Sequence, residues 1–206
     1  CDRTLRRMGR RNTCSSFRAL LQTARSAIPD LSVSTDIMVG FPGESDADFK
    51  QSLEFAESMA FTRMHIFRYS RRAGTSAAKM PEQVPVNVAK ERSRHLHALD
   101  ARMQAQFRYR FVGRKLDVLW EREQVHGDGL RWSGLTPNYL RVMTHTGHEI
   151  NLYNVVTVTS MLAEVEDGLL GEVVAPVGAL PQEAPVEFMR GSALQYSDYM
   201  HPQPNG

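Results

Sequence analysis

Between residues 15 and 28, Phe17, Leu20, Leu21, Ala24 and Ile28 recur three and four apart. That spacing predicts a helix with one buried stripe, stopped by Pro29-Asp30. "LSVSTDIMVGF" follows, rich in β-branched residues and closed by Pro42-Gly43, and reads as a strand. A second helix is expected from Ser45, where Ser45 and Asp48 form a capping-box pattern. Its stripe is Phe49, Leu53, Ala56 and Ala60. "TRMHIFRYS" alternates as a second strand. Met64, Ile66 and Arg68 lie on one side, and His65, Phe67 and Tyr69, expected to be core more often than site, on the other. Strand, helix, strand at this length predicts a parallel βαβ unit, with ligands expected at the carboxyl ends of the strands.

Residues 70–86 form a Pro- and Gly-containing loop, and a long polar helix is expected from about Asn87 to Phe111 along Val88, Leu96, Leu99, Met103 and Phe107. His95 and His97 lie two apart on it and do not share a face, so no metal pair is expected there. Beyond Gly113 the pattern changes to short β-like runs separated by Gly, Asp and His turns, which suggests a small all-β barrel or sandwich. Residues 176–206 contain five prolines without periodicity and read as a disordered tail.

Composition narrows the class. The chain has 206 residues, 42% hydrophobic and 23% charged, as in ordinary soluble domains. No apolar run approaches the roughly 20 residues of a membrane span, and no signal peptide is visible. The sequence lacks an initiator Met and is expected to start within a longer protein. Cys1 and Cys14 make neither a disulfide framework nor a metal cluster, which favours a reducing, cytoplasmic setting. The net charge of +2 hides an Arg-rich start, Arg3 to Arg25, and an acidic region from Glu164 onward. A basic segment suits a polyanion partner or, equally plainly, a solvated helix face.

The strings "STDIMVGFPGESDADF" and "RMHIFRYSRRAGTSAAKM" resemble the radical SAM methylthiotransferases. "CDRTLRRMGRRNT" is similar to the family segment before them, and "VPVNVAKERSRHLHAL" to its connecting helix. "GRKLDVLWERE" and "GLTPNYLRV" resemble the closing TRAM domain, and the likeness is collinear over residues 1 to about 174. The resemblance implies an α/β fold: the second half of a partial parallel (β/α) barrel over 1–111, with the connecting helix, then an all-β TRAM barrel over 112–174 and a tail over 175–206. It implies an enzyme that adds a methylthio group to an adenosine beside the tRNA anticodon, with S-adenosyl-L-methionine and 4Fe–4S clusters as cofactors. The cluster cysteines lie outside this chain, so the chain alone should not ligate iron. "GLTPNYLRV" looks most like the branch acting on threonylcarbamoyladenosine. The alternatives are the ribosomal-protein aspartate branch and a non-catalytic RNA-binding module.

By the same resemblance, Asp36, Val39, Gly40, Phe41, Pro42, Glu44 and Tyr69 are expected at the cofactor site. Asp36 would accept hydrogen bonds from the ligand. Gly40 would permit close backbone approach. Glu44, in the first turn of a helix, could equally be there for the dipole. Arg68 stands where a Pro is expected, and Arg71 and Arg72 are candidates for phosphates. In the barrel, Arg114, Lys115, Arg131 and Arg141 are candidate RNA contacts, within a basic cast that Arg122 shares. Trp132 and Tyr139 are candidate stacking residues, or else core. The partners expected are tRNA and S-adenosylmethionine, and no membrane.

Overall fold

The computed structural model describes residues 1–179. The expected tail lies outside the described residues from 180 onward. The chain opens with a short helix α1 (Asp2–Arg7), which the sequence pattern did not predict because its six residues carry no apolar stripe. Helix α2 (Cys14–Ala27) starts at Thr13, whose side chain and Ser16 form a reciprocal capping box. Strand β1 (Ser34–Val39) leads into α3 (Asp46–Met59), where the predicted Ser45–Asp48 box is present in both directions. Strand β2 (Arg63–Arg68) pairs with β1 in parallel, with Asp36 opposite His65 and Met38 opposite Phe67. One turn of helix, α4 (Ser76–Lys79), interrupts the loop expected at 70–86, and α5 (Val86–Tyr109) follows.

The helices cover one face of the two-stranded sheet. Val39 and Met64 pack there with Leu21, Phe49, Ala56, Leu96 and Met103, and Ile37 and Ile66 join them. His65 and Phe67, weighed as core, point the other way and are exposed. The physical reason is parity: β2 shows its helix-covered side through Met64 and Ile66, so the odd-numbered side chains face away.

After Gly113 the chain forms β3 (Lys115–His126), β4 (Gly129–Leu135), β5 (Arg141–Thr146), β6 (Val155–Val165) and β7 (Gly168–Ala179). They close as β3-β4-β5-β7-β6, with β5 and β7 parallel and the other pairs antiparallel. The barrel is thus closed, which removes its free edges. Strand β7 runs five residues past the boundary expected at 174. The barrel core holds Val118, Trp120, Trp132, Val142, Met161 and Leu169. Both indoles find partners: Trp120 Nε1 donates to Thr157 Oγ1 at 2.8 Å and Trp132 Nε1 to Thr146 Oγ1 at 3.1 Å. Phe107, at the end of α5, and Phe111, just past it, enter the same core and join helix to barrel.

Candidate functional site

The turn that follows β1 is built around a buried ion pair. Glu44 and Arg92 are 5% exposed each, although both are charged. Glu44 accepts the Gly40 N–H at 2.5 Å and the Arg92 Nη1–H at 2.9 Å. Arg92 also donates to the Glu44 carbonyl at 3.0 Å and to Asp46 at 2.7 Å, so α5 holds the start of α3. Burial pushes the Glu44 carboxyl up, against the pull of the Gly40 N–H and Arg92. Glu44 is therefore an internal tether between the end of β1 and α5.

Gly40 serves the same joint. Its φ is +76°, and a Cβ there would sit 2.7 Å from Ala89 Cβ of α5. The close approach it permits is to a helix of the same chain. Val39, Phe41 and Pro42 are buried too. Outside, Arg7 donates to the Pro42 carbonyl at 2.9 Å and clamps the turn from α1.

Asp36 lies on the open face of the sheet, exposed, with Met38, His65 and Phe67 around it. Its carboxylate has no hydrogen-bond or ion-pair partner among the described residues. Tyr69, just past β2, packs edge-on to Phe41, with ring centroids 5.5 Å apart. Its hydroxyl is buried and has no partner among the described residues. An unmade hydrogen bond of that kind is costly, and Arg92 Nε is a second such buried atom. Cys1 and Cys14 are free thiols, and the described residues contain no group of three His, Cys, Asp or Glu able to hold a metal.

A cleft of about 1170 Å³ separates the β2 side of the sheet from the barrel. Arg63, His65 and His97 line one wall, and Arg122, Arg131 and Arg141 the other. Glu166 and Asp167 form an acidic lip at the turn between β6 and β7. A contiguous space of about 510 Å³ shares Arg63, His65 and Arg141, and adds Ser34 and Tyr139. Arg131 donates to Gln124, and Arg141 and Tyr139 are exposed. Two candidates fall elsewhere. Arg114 is bonded through both terminal nitrogens to Asp30, at 3.2 and 2.6 Å, and neither it nor Lys115 lines the cleft. Trp132 is fully buried in the barrel and cannot stack on a base.

Residues the sequence reading missed are Arg92, Asp100 and Asp30. Arg92 and Asp100 sit on the buried side of α5 with Ala89, Ser93, Leu96, Leu99, Met103 and Phe107. Continuing the apolar spacing through those two polar positions would have exposed them. Asp100 accepts the Met64 N–H of β2 at 2.7 Å. Asp30 joins the two halves of the molecule: it bonds Arg114, and its carbonyl accepts from Asn138 at 3.0 Å.

The chain is similar to curated proteins of one kind. It is 44% identical over 120 residues to threonylcarbamoyladenosine tRNA methylthiotransferase MtaB of Thermotoga maritima, covering 58% of this chain and 28% of that protein. It is 40% identical over 157 residues to tRNA-2-methylthio-N(6)-dimethylallyladenosine synthase of Novosphingobium aromaticivorans, covering 76% and 34%. A protein of Pyrococcus abyssi named "Probable threonylcarbamoyladenosine tRNA methylthiotransferase" is 36% identical over 175 residues, covering 83% and 38%. The chain thus spans about a third of the length of these relatives. No protein-family model matches it.

Proposed function

We propose that this chain, which belongs to the radical SAM methylthiotransferase family, is the substrate-facing portion of an enzyme that places a methylthio group on an adenosine of tRNA. The observation that carries the reading is the likeness, 36–44% identical, to proteins named for that reaction across 58–83% of the chain. Those names include both the dimethylallyl and the threonylcarbamoyl nucleoside, so the likeness favours neither. The string "GLTPNYLRV" supports the threonylcarbamoyl branch.

The chain's own residues suit two tasks. The first is to present a cofactor face. Asp36 offers an unpaired carboxylate to a ribose hydroxyl or a cationic group, and Tyr69 Oη offers a buried donor. S-adenosylmethionine, when bound, supplies a methyl group and a deoxyadenosyl radical. The end of β1 and the turn after it bury Val39, Phe41 and Pro42, while Gly40 and Glu44 fix their shape against α5. Iron–sulfur ligation falls to residues of the longer protein. The second task is to hold RNA: Arg63 of β2 and Arg141 of β5 line the same cleft of about 1170 Å³ and suit phosphates.

The test is nucleoside mass spectrometry of bulk tRNA after deletion of the gene. One methylthiolated adenosine should disappear and its unthiolated precursor accumulate, naming the branch. Unchanged levels of both methylthio nucleosides would overturn the reading. Complementation with an Asp36→Ala gene should restore little of the mark.

A further inference from the structure

The turn between β4 and β5 carries a tyrosine in a conformation that favours glycine. Tyr139 has φ +62°, and its side chain is left out in solvent, 80% exposed. Glycine or asparagine would hold the same turn at lower cost. The turn is nevertheless over-determined. Thr136 N–H donates to the Leu140 carbonyl at 3.0 Å, Tyr139 N–H to the Thr136 carbonyl at 2.9 Å, and Leu140 N–H to Thr136 Oγ1 at 2.9 Å. Asn138 then ties the turn to the Asp30 carbonyl across the joint. A strained residue held this firmly, with its aromatic ring outside the core, points to a use for the ring.

The surroundings say which use. The ring borders the 510 Å³ end of the cleft, together with Arg63 and His65 of β2, Arg141 of β5 and Ser34 of β1. An exposed aromatic that lines the same space as Arg63 and Arg141 matches the chemistry of a single-stranded nucleotide, a flat apolar base joined to phosphates. A duplex would present no free base face to it.

We propose that Tyr139 is a stacking platform for one unpaired base of an RNA loop, with Arg63 and Arg141 taking the adjoining phosphates from opposite walls. The inference rests on the RNA-directed reading above. It assigns the base to the rim between sheet and barrel, and the binding site to both halves of the chain.

The test uses the 206-residue chain and an RNA hairpin of the anticodon-arm type, with 2-aminopurine placed in turn at each loop position. Tyr139→Gly should melt no lower than wild type, since it relieves the strained backbone. Its dissociation constant should nonetheless rise by roughly 5- to 150-fold, the range expected for loss of one stacked base. The salt slope should stay the same, and quenching at one loop position should vanish. Tyr139→Trp should keep affinity and quenching. Arg63→Ala and Arg141→Ala should each shallow the salt slope. A Tyr139→Gly variant with wild-type affinity, or one whose loss of affinity tracks a lower melting temperature, overturns the stacking seat while leaving RNA binding in place. A wild-type chain that binds no hairpin at low salt overturns both this inference and the RNA-directed reading.

Discussion

Gly40 has two reasons to be glycine. Its backbone is left-handed at φ +76°, and Ala89 occupies the space a Cβ would need. Gly40→Ala should destabilise the chain by about 2–4 kcal/mol, combining left-handed strain with overpacking. Adding Ala89→Gly should return the overpacking part alone, and urea melts of the three variants would check this. The neighbouring ion pair makes a second, independent prediction. Arg92→Met leaves Glu44 charged and buried with only the Gly40 N–H, which should cost about 3–5 kcal/mol. Glu44→Gln on top of it should recover much of that loss, since a neutral amide still accepts from Gly40. If Arg92→Met melts like wild type, the pair is not holding the turn. Asp36 stood out in sequence because it is a carboxylate in an apolar strand, and the structure puts it exposed on the open face. Arg92 did not, because a charge on a polar helix reads as solvated until the helix's buried side is traced through it.

At the scale of elements, local chemistry carried the reading furthest. The box at Ser45 and Asp48, the alternation of β2 and the Gly-punctuated runs after 113 each map onto an element that formed. Helix α1 escaped, since what anchors it is remote in sequence. Asp48 receives Arg3 at 2.6 Å and the Cys1 thiol at 3.3 Å, as well as both groups of Ser45. One buried carboxylate thus caps α3 and docks α1. Asp48→Ala should cost about 1.5–3 kcal/mol through its lost hydrogen bonds to Ser45 and Arg3 and also free α1. Trypsin should then cut faster among Arg3, Arg6, Arg7 and Arg10, while cleavage elsewhere keeps its wild-type rate. An Asp48→Ala chain cut no faster at these arginines would show that Arg7, through the Pro42 carbonyl, suffices to hold the helix. The faces of β1 and β2 were harder to assign. Alternation says which side chains travel together, but not which set the helices cover.

At the scale of the molecule, sheet and helices meet the barrel through apolar and polar contacts. Phe107 and Phe111 bury themselves in the barrel core, an apolar joint that does not respond to pH. Two ion pairs add to it: Arg108 of α5 donates to Glu164 of β6 at 2.9 and 2.6 Å, and Asp30, whose own φ is +57°, sets its carboxylate against Arg114 and within 3.6 Å of Arg110. The hydrogen bond from Arg114 holds the Asp30 carboxyl below the usual aspartate range. A carboxyl lowered in the folded state stabilises that state above its unfolded pKa, about 3.9, and loses the contribution as pH falls through the lower folded value. The joint should therefore be indifferent to pH from 5 to 8 and weaken only in acid. Because Asp30 and Arg114 are both partly in solvent, the contribution should be small, about 1 kcal/mol at most. Asp30→Asn should lower stability by that amount at pH 7, and its melting curve should converge on the wild-type curve as pH falls below 4. The same substitution leaves the Asn138 bond to the Asp30 carbonyl available, so the strained turn keeps its anchor. It should also free Arg114, and RNA affinity should then change little or rise slightly, because a guanidinium has been released without disturbing the cleft. A large loss of RNA affinity in Asp30→Asn would mean that the barrel's orientation, and with it the spacing of Arg63 and Arg141, depends on this carboxylate more than on the two phenylalanines and the Arg108–Glu164 pair.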